Sequence, residues 1–158
     1  ARTATAFLMQ NGIDVTGAVL HTYGDGQIAA TGLLMDQILV GHALLDMHKL
    51  DDSLILENQA RKVIDYMEKT LFDPERMAFY MGPPLMPLWA NAKRRFSYRD
   101  NLLPAANPAA AELLLRLKKS DRASAILTGK RLTYRLSRAY ASYARVMLHF
   151  NQARQASL

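Results

Sequence analysis

The stretch TGLLMDQILVGHALLDMHKLDD, residues 31–52, decides the fold. At 100° per residue, His42, Asp46 and Lys49 share one narrow stripe, while Leu33, Leu34, Ile38, Val40, Leu44, Leu45 and Met47 cover most of the remaining circumference. A helix so apolar all round needs neighbours on several sides, so residues 32–49 predict an inner helix. Asp51, Asp52 and Ser53 close it in a polar corner and offer caps to the next helix. Residues 98–121 repeat this plan: Asp100 in the lead-in, a run of small and apolar residues, then a polar corner at 118–121. Two such units predict stacked helical hairpins in an all-α chain of about five helices.

Outward from that stretch, residues 53–72 form an amphipathic partner. Leu56, Ala60, Val63, Ile64, Met67 and Leu71 fall on one stripe, with Glu57, Arg61, Asp65, Glu68 and Lys69 opposite. Glu57 to Arg61 and Asp65 to Lys69 are i,i+4 pairs, and Asp73-Pro74 stops the helix. Upstream, residues 1–11 read as a helix end stopped by Asn11-Gly12, and residues 12–30 read as a loop holding a small hairpin. Residues 73–106 carry no helical period and are punctuated by Pro74, Pro83, Pro84, Pro87 and Pro104. Asn107-Pro108 then reads as an N-cap followed by proline at the first helical position, with Glu112 to Arg116 as a further pair. After the corner, Leu132, Leu136, Ala139, Tyr140, Tyr143, Met147 and Phe150 trace a last helical stripe.

Bulk composition narrows the function classes. A chain of 158 residues that is 50% hydrophobic and 22% charged reads as one globular domain. No uncharged apolar run reaches the roughly 18 residues of a membrane span, and no signal-peptide pattern opens the chain. The absence of cysteine removes disulfides, thiolate metal sites and thiol catalysis, and fits a cytoplasmic location. The net charge of +6 is uneven: from Arg116 onward ten Lys and Arg face a single acid, Asp121. That basic excess reads as a solvated helix face; a nucleic-acid surface through Arg131, Arg135, Arg138 and Arg145 is the weaker reading.

The runs FLMQN, YGDG, GLLMDQILVGHALLDMHKLDD, YRDNLLPAANPAAAELLLRL and SYARVMLHF, taken in order, resemble the helical part of the thioredoxin-domain-containing (spermatogenesis-associated thioredoxin-like) family. That part is similar to N-acylglucosamine 2-epimerase and to the six-hairpin glycosidases, which form an (α/α)6 toroid around a cleft. The resemblance implies hairpins of such a toroid in a single partial domain spanning 1–158, read as a fragment or shortened relative. It also implies a carbohydrate-like ligand and, as partners, a second copy of the chain or an upstream thioredoxin-like domain. Where the family opens its inner helix with paired aspartates, this chain has Met35-Asp36-Gln37-Ile38 and keeps one carboxylate. Where the family shows Asp-Asn and then Pro-Ser-Gly-Asn-Ser, this chain has Asp100-Asn101 and then Pro104-Ala105-Ala106-Asn107-Pro108.

In such a toroid Asp36 and Asp100, each leading into an inner helix, are candidates for a carboxylate pair of the kind glycoside chemistry uses. The alternative for both is stabilisation of helix starts through N–H groups and the dipole. Trp89, Arg95, Tyr98, Asn101 and Asn107 are the ligand-binding candidates, because aromatic faces and Arg or amide donors suit sugars and anions. Equally, the loop from 73 to 106 could simply cover an apolar surface. None of His21, His42, His48 and His149 lies at an inner-helix start in sequence. His42 and Asp46, one turn apart, lack a third ligand, so neither a metal nor another cofactor is expected. The second reading, from a different class, is a non-catalytic module that completes its core with another copy or a missing segment.

Overall fold

The computed structural model describes residues 1–22, 30–84, 95–97, 100, 103–128 and 141–155. Six α-helices lie among them: α1 (Arg2–Phe7), α2 (Leu34–Asp51), α3 (Leu54–Thr70), α4 (Ala106–Arg116), α5 (Ser120–Thr128) and α6 (Ala141–Gln155). The only strands among the described residues are β1 (Phe72–Asp73) and β2 (Ala78–Phe79), which pair as a short hairpin. The architecture is therefore all-α. Among the described residues no helix is long and apolar enough to cross a membrane. The chain groups into two compact units, one of Ala1–Phe72 with Tyr80–Arg95 and the other of Asp73–Phe79 with Phe96–Leu158.

The first unit is built on the hairpin α2–α3. Leu34, Ile38 and Leu44 of α2 and Ile64 and Met67 of α3 are fully buried, and each such side chain contributes about 2 kcal/mol. The surface pair Glu57–Arg61 is present at 2.5 Å but is worth only about 0.3–0.5 kcal/mol. Packing of the apolar stripes thus holds the hairpin, and the charges decorate its wet face. At the corner Asp52 takes the left-handed conformation (φ 48°) and donates its N–H to His48 O at 2.8 Å. Aspartate tolerates that conformation better than most residues.

A turn of π-helix (Leu8–Gly12) extends α1 before the loop. Two isolated antiparallel bridges follow, Ile13 with Val19 and Leu20 with Thr31. Gly17 (φ 95°) and Gly32 (φ 71°) make this loop possible. Gly17 lies against the backbone of α3 at Lys62, and Gly32 lies against the Tyr66 ring. From α2, the fully buried Gln37 meets the same loop, its amide nitrogen donating to Gly17 O (3.1 Å) and its oxygen accepting from Val19 N–H (2.8 Å).

In the second unit α4 packs on both α5 and α6. Its face of Ala106, Ala109, Ala110, Ala111, Leu113 and Leu114 is buried; the alanines allow close approach on more than one side. The corner after α4 follows the same design as the first: Lys118 is left-handed (φ 60°), with Lys118 N–H to Leu115 O and Lys119 N–H to Leu114 O, both at 3.0 Å. This is a Schellman-type ending without glycine. The sequence echo between 31–52 and 98–121 is thus realised as two helix–corner–helix units.

One expectation is corrected. Asn107 is not the N-cap of α4; the helix starts at Ala106 with Ala105 as cap, which puts Asn107 and Pro108 inside the first turn. Proline is tolerated there because first-turn N–H groups have no helical partner. Glu112 is engaged by Arg145 of α6, through two bonds of 2.6 Å, in addition to its place one turn before Arg116. Arg145→Ala should cost less than about 1 kcal/mol in urea denaturation, because the pair is largely solvated.

Candidate ligand site at the start of α2

Asp36 is the third residue of α2 and the acid of its first turn, where the helix dipole favours a negative charge. Its Oδ2 lies 2.8 Å from Nδ1 of His21. His21 is far from Asp36 in sequence, but the bridge between Leu20 and Thr31 folds it back, and its own N–H donates to Ala30 O at 2.9 Å. The Asp36 side chain is 22% exposed and the His21 side chain 50%, so the carboxylate is sheltered while the ring reaches solvent. An ionised carboxylate only accepts hydrogen bonds. The contact therefore places a proton on Nδ1 and holds the ring in one orientation.

Another described histidine, His48, is spent on the α2–α3 corner. Its Nδ1 meets Ser53 O at 3.0 Å, and its Nε2 lies 3.8 Å from Glu57. Among the described residues no group of three or more His, Asp and Glu gathers in a way that could hold a metal ion.

Asp100 belongs to the second unit and has different surroundings. Its Oδ1 accepts from Ala105 N–H and its Oδ2 from Ser142 N–H, both at 2.8 Å. It thereby links the cap residue of α4 to the first turn of α6. Burial alone would push its pKa up, but the N–H groups of Ser142 and Ala105, with the Ser142 hydroxyl and Ala141 N–H, together hold it below the usual carboxylate range. A carboxylate engaged on both oxygens by backbone N–H groups acts on helix starts. Asp100→Ala should cost about 2 kcal/mol, as two capping-type interactions are lost. The folded-state pKa lies below the unfolded one, so this stabilisation is complete above the unfolded value, about 4, and disappears as pH falls through the lower folded value. Chemical denaturation of wild type and variant from neutral pH down should show the two converging in acid.

Asn107 is fully buried, and its amide is committed to backbone. Oδ1 accepts from Phe79 N–H at 2.7 Å, and Nδ2 donates to Phe79 O at 3.0 Å and Ser97 O at 3.2 Å. Arg95 is exposed, and its carbonyl accepts Met81 N–H at 2.8 Å in the first unit. Trp89, Tyr98 and Asn101 lie outside the described residues, as do Arg131, Arg135 and Arg138. One Arg–aromatic contact is formed nearby by Arg76 over the Phe96 ring at 5.6 Å, with the same guanidinium bonded to Asp73 at 2.9 Å.

A shallow pocket of about 170 Å³ opens in the first unit beside α1, lined by Ala6, Met9, Met47 and Leu56 under the Arg2–Asp51 pair. It is well below the roughly 300 Å³ at which ligand pockets begin. No protein-family model matches the chain, and no curated protein or solved structure matches it.

Proposed function

We propose that the chain is an α/α-hairpin domain of the toroid type that binds a hydroxyl-rich, carbohydrate-like ligand at the start of α2. The observation that carries this reading is the His21–Asp36 pair: a half-exposed ring fixed by a sheltered carboxylate at the N-terminal end of an apolar inner helix. A sugar hydroxyl could donate to the open Nε2 of such a ring, and further hydroxyls could meet the carboxylate. The resemblance to toroid families supports the ligand class. Calorimetric titration of the chain with amino sugars and oligosaccharides tests the reading. Binding should appear for at least one of them and weaken about tenfold in His21→Ala, the worth of one hydrogen bond. Absence of heat across the whole panel from folded protein would sink it.

A second reading, a module that completes its core with another copy of this chain, is favoured by the outer face of the first hairpin. Leu39 and Leu50 fall on one stripe of α2 and are 52% and 74% exposed, and Leu54 and Ile55, opening α3, are 69% and 68% exposed. Four large apolar side chains left wet on one hairpin are a contact surface in search of apolar cover. Light scattering should then give a dimer mass that Leu50→Asp with Leu54→Asp reduces to a monomer. A monodisperse monomer at high concentration would rule this reading out.

A further inference from the structure

We infer that Asp36 and His21 form a proton-accepting pair, in which Asp36 sets the tautomer and His21 Nε2 takes a proton from a hydroxyl of the bound ligand. This rests on the reading that a ligand binds at the start of α2, and it gives the pair a role beyond holding that ligand. Three constraints act on the ring. Its backbone is held by the His21 N–H bond to Ala30 O and by the neighbouring bridge of Leu20 to Thr31. Nδ1 is held by Asp36 Oδ2 at 2.8 Å. Asp36 in turn is fixed in the first turn of α2, whose dipole keeps negative charge there.

With Nδ1–H bonded to a carboxylate, the neutral form of the ring carries its lone pair on Nε2, the arrangement in which imidazole acts as a general base oriented by a third group. The step balances simply. The O–H bond of the ligand hydroxyl breaks, its proton goes to Nε2, the electron pair stays on oxygen, and the imidazolium formed is stabilised by the Asp36 carboxylate. His48 cannot serve in this way, because both its nitrogens face groups of the α2–α3 corner. Asp36 is a positioning residue on this view, and His21 is the group that meets the ligand.

The tautomer reads directly the geometry on which this step depends, a lone pair on Nε2 that faces the ligand. Two-dimensional 15N–1H correlation of the imidazole rings in the full chain, without ligand and above the ring's titration, should show His21 with its proton on Nδ1. Asp36→Ala should return His21 to the Nε2–H form that free imidazole side chains prefer, with His48 unchanged as internal control. A wild-type His21 carrying its proton on Nε2 overturns the inference even if sugars bind. So does an Nδ1–H tautomer that survives in a folded Asp36→Ala variant. Because no ligand is used, failure of the sugar titration and failure of the tautomer assignment are separate results. Should Asp36→Ala not fold, the wild-type spectrum alone still decides.

Discussion

Asn107→Ala is expected to cost about 3 kcal/mol, the largest loss for any single side chain of the second unit outside its apolar core. The reason is the geometry of the amide it removes. Asn107 is fully buried, and its side chain answers both the N–H and the carbonyl of Phe79, at 2.7 and 3.0 Å, while also reaching Ser97 O. Removing one partner from a buried polar group costs about 1–3 kcal/mol per group, because water cannot replace it. Two backbone groups of Phe79 lose the same partner at once, beside a ring that is itself completely buried. Urea denaturation measures the total, and hydrogen exchange at the Phe79 amide localises it: protection there should fall by roughly the same free energy. Asn107→Asp separates hydrogen bonding from volume. It is nearly isosteric and keeps an acceptor for Phe79 N–H, but turns an oxygen toward two carbonyl oxygens, so it should be no better than alanine. A variant within about 0.5 kcal/mol of wild type would mean that the clamp is not the tie it is taken to be here.

The same amide shows where sequence reading succeeds and where it stops. The hairpins were legible because apolar periodicity is a local signal: residues 32–49 and 53–72 predict two helices, and α2 (Leu34–Asp51) and α3 (Leu54–Thr70) match within two residues. The echoed corner was legible too, since Asp52 and Lys118 are polar breaks after apolar runs. Asn107 before Pro108 has the local look of a cap, and local chemistry alone would make it one. What moves it inside the helix is a tertiary demand, the buried backbone of Phe79, which lies 28 residues away and leaves no mark on the sequence around Asn107. Gln37 is the same kind of residue in the first unit, a polar position in an apolar helix whose purpose lies in a loop.

The candidate site divides in the same way. Asp36 stands out in sequence as the lone acid opening an apolar helix, and Asp100 stands out as its echo. Their environments could not be told apart there. Asp100 is engaged on both oxygens by backbone N–H groups, whereas Asp36 holds a ring. His21 was discounted because no helix starts near it in sequence. Only the antiparallel bridges Ile13–Val19 and Leu20–Thr31 bring it to α2, and their signals, turn residues and two glycines, give a turn without saying what it will meet.

Those glycines carry the other large expected effect, because the loop that positions His21 depends on them. Gly17→Ala should destabilise the first unit by about 3 kcal/mol. Its φ of 95° lies where side chains are strained, at a cost of about 1–2 kcal/mol. A Cβ at that position would also run into the Lys62 carbonyl of α3. An obstacle made of helix backbone cannot swing aside as a side chain tip can, so either the loop lifts from α3 or α3 shifts from α2. Lifting the loop also withdraws Gly17 O and Val19 N–H from the buried Gln37 amide, which adds the cost of unsatisfied polar groups to the strain. Gly12→Ala is the matched control. Its nearest obstacle is the Leu8 side chain at 3.2 Å, which can give way, so the change should stay within about 1 kcal/mol. Thermal denaturation followed by circular dichroism ranks the two, and the His21 ring signals report the loop directly. If Gly17→Ala melts with wild type and leaves those signals in place, the loop does not lean on α3 and the site at the start of α2 loses its scaffold. A lower melting point for Gly17→Ala alone, with the His21 signals displaced toward those of an exposed ring, is the result expected when α3, the loop and the Asp36 contact form one continuous support.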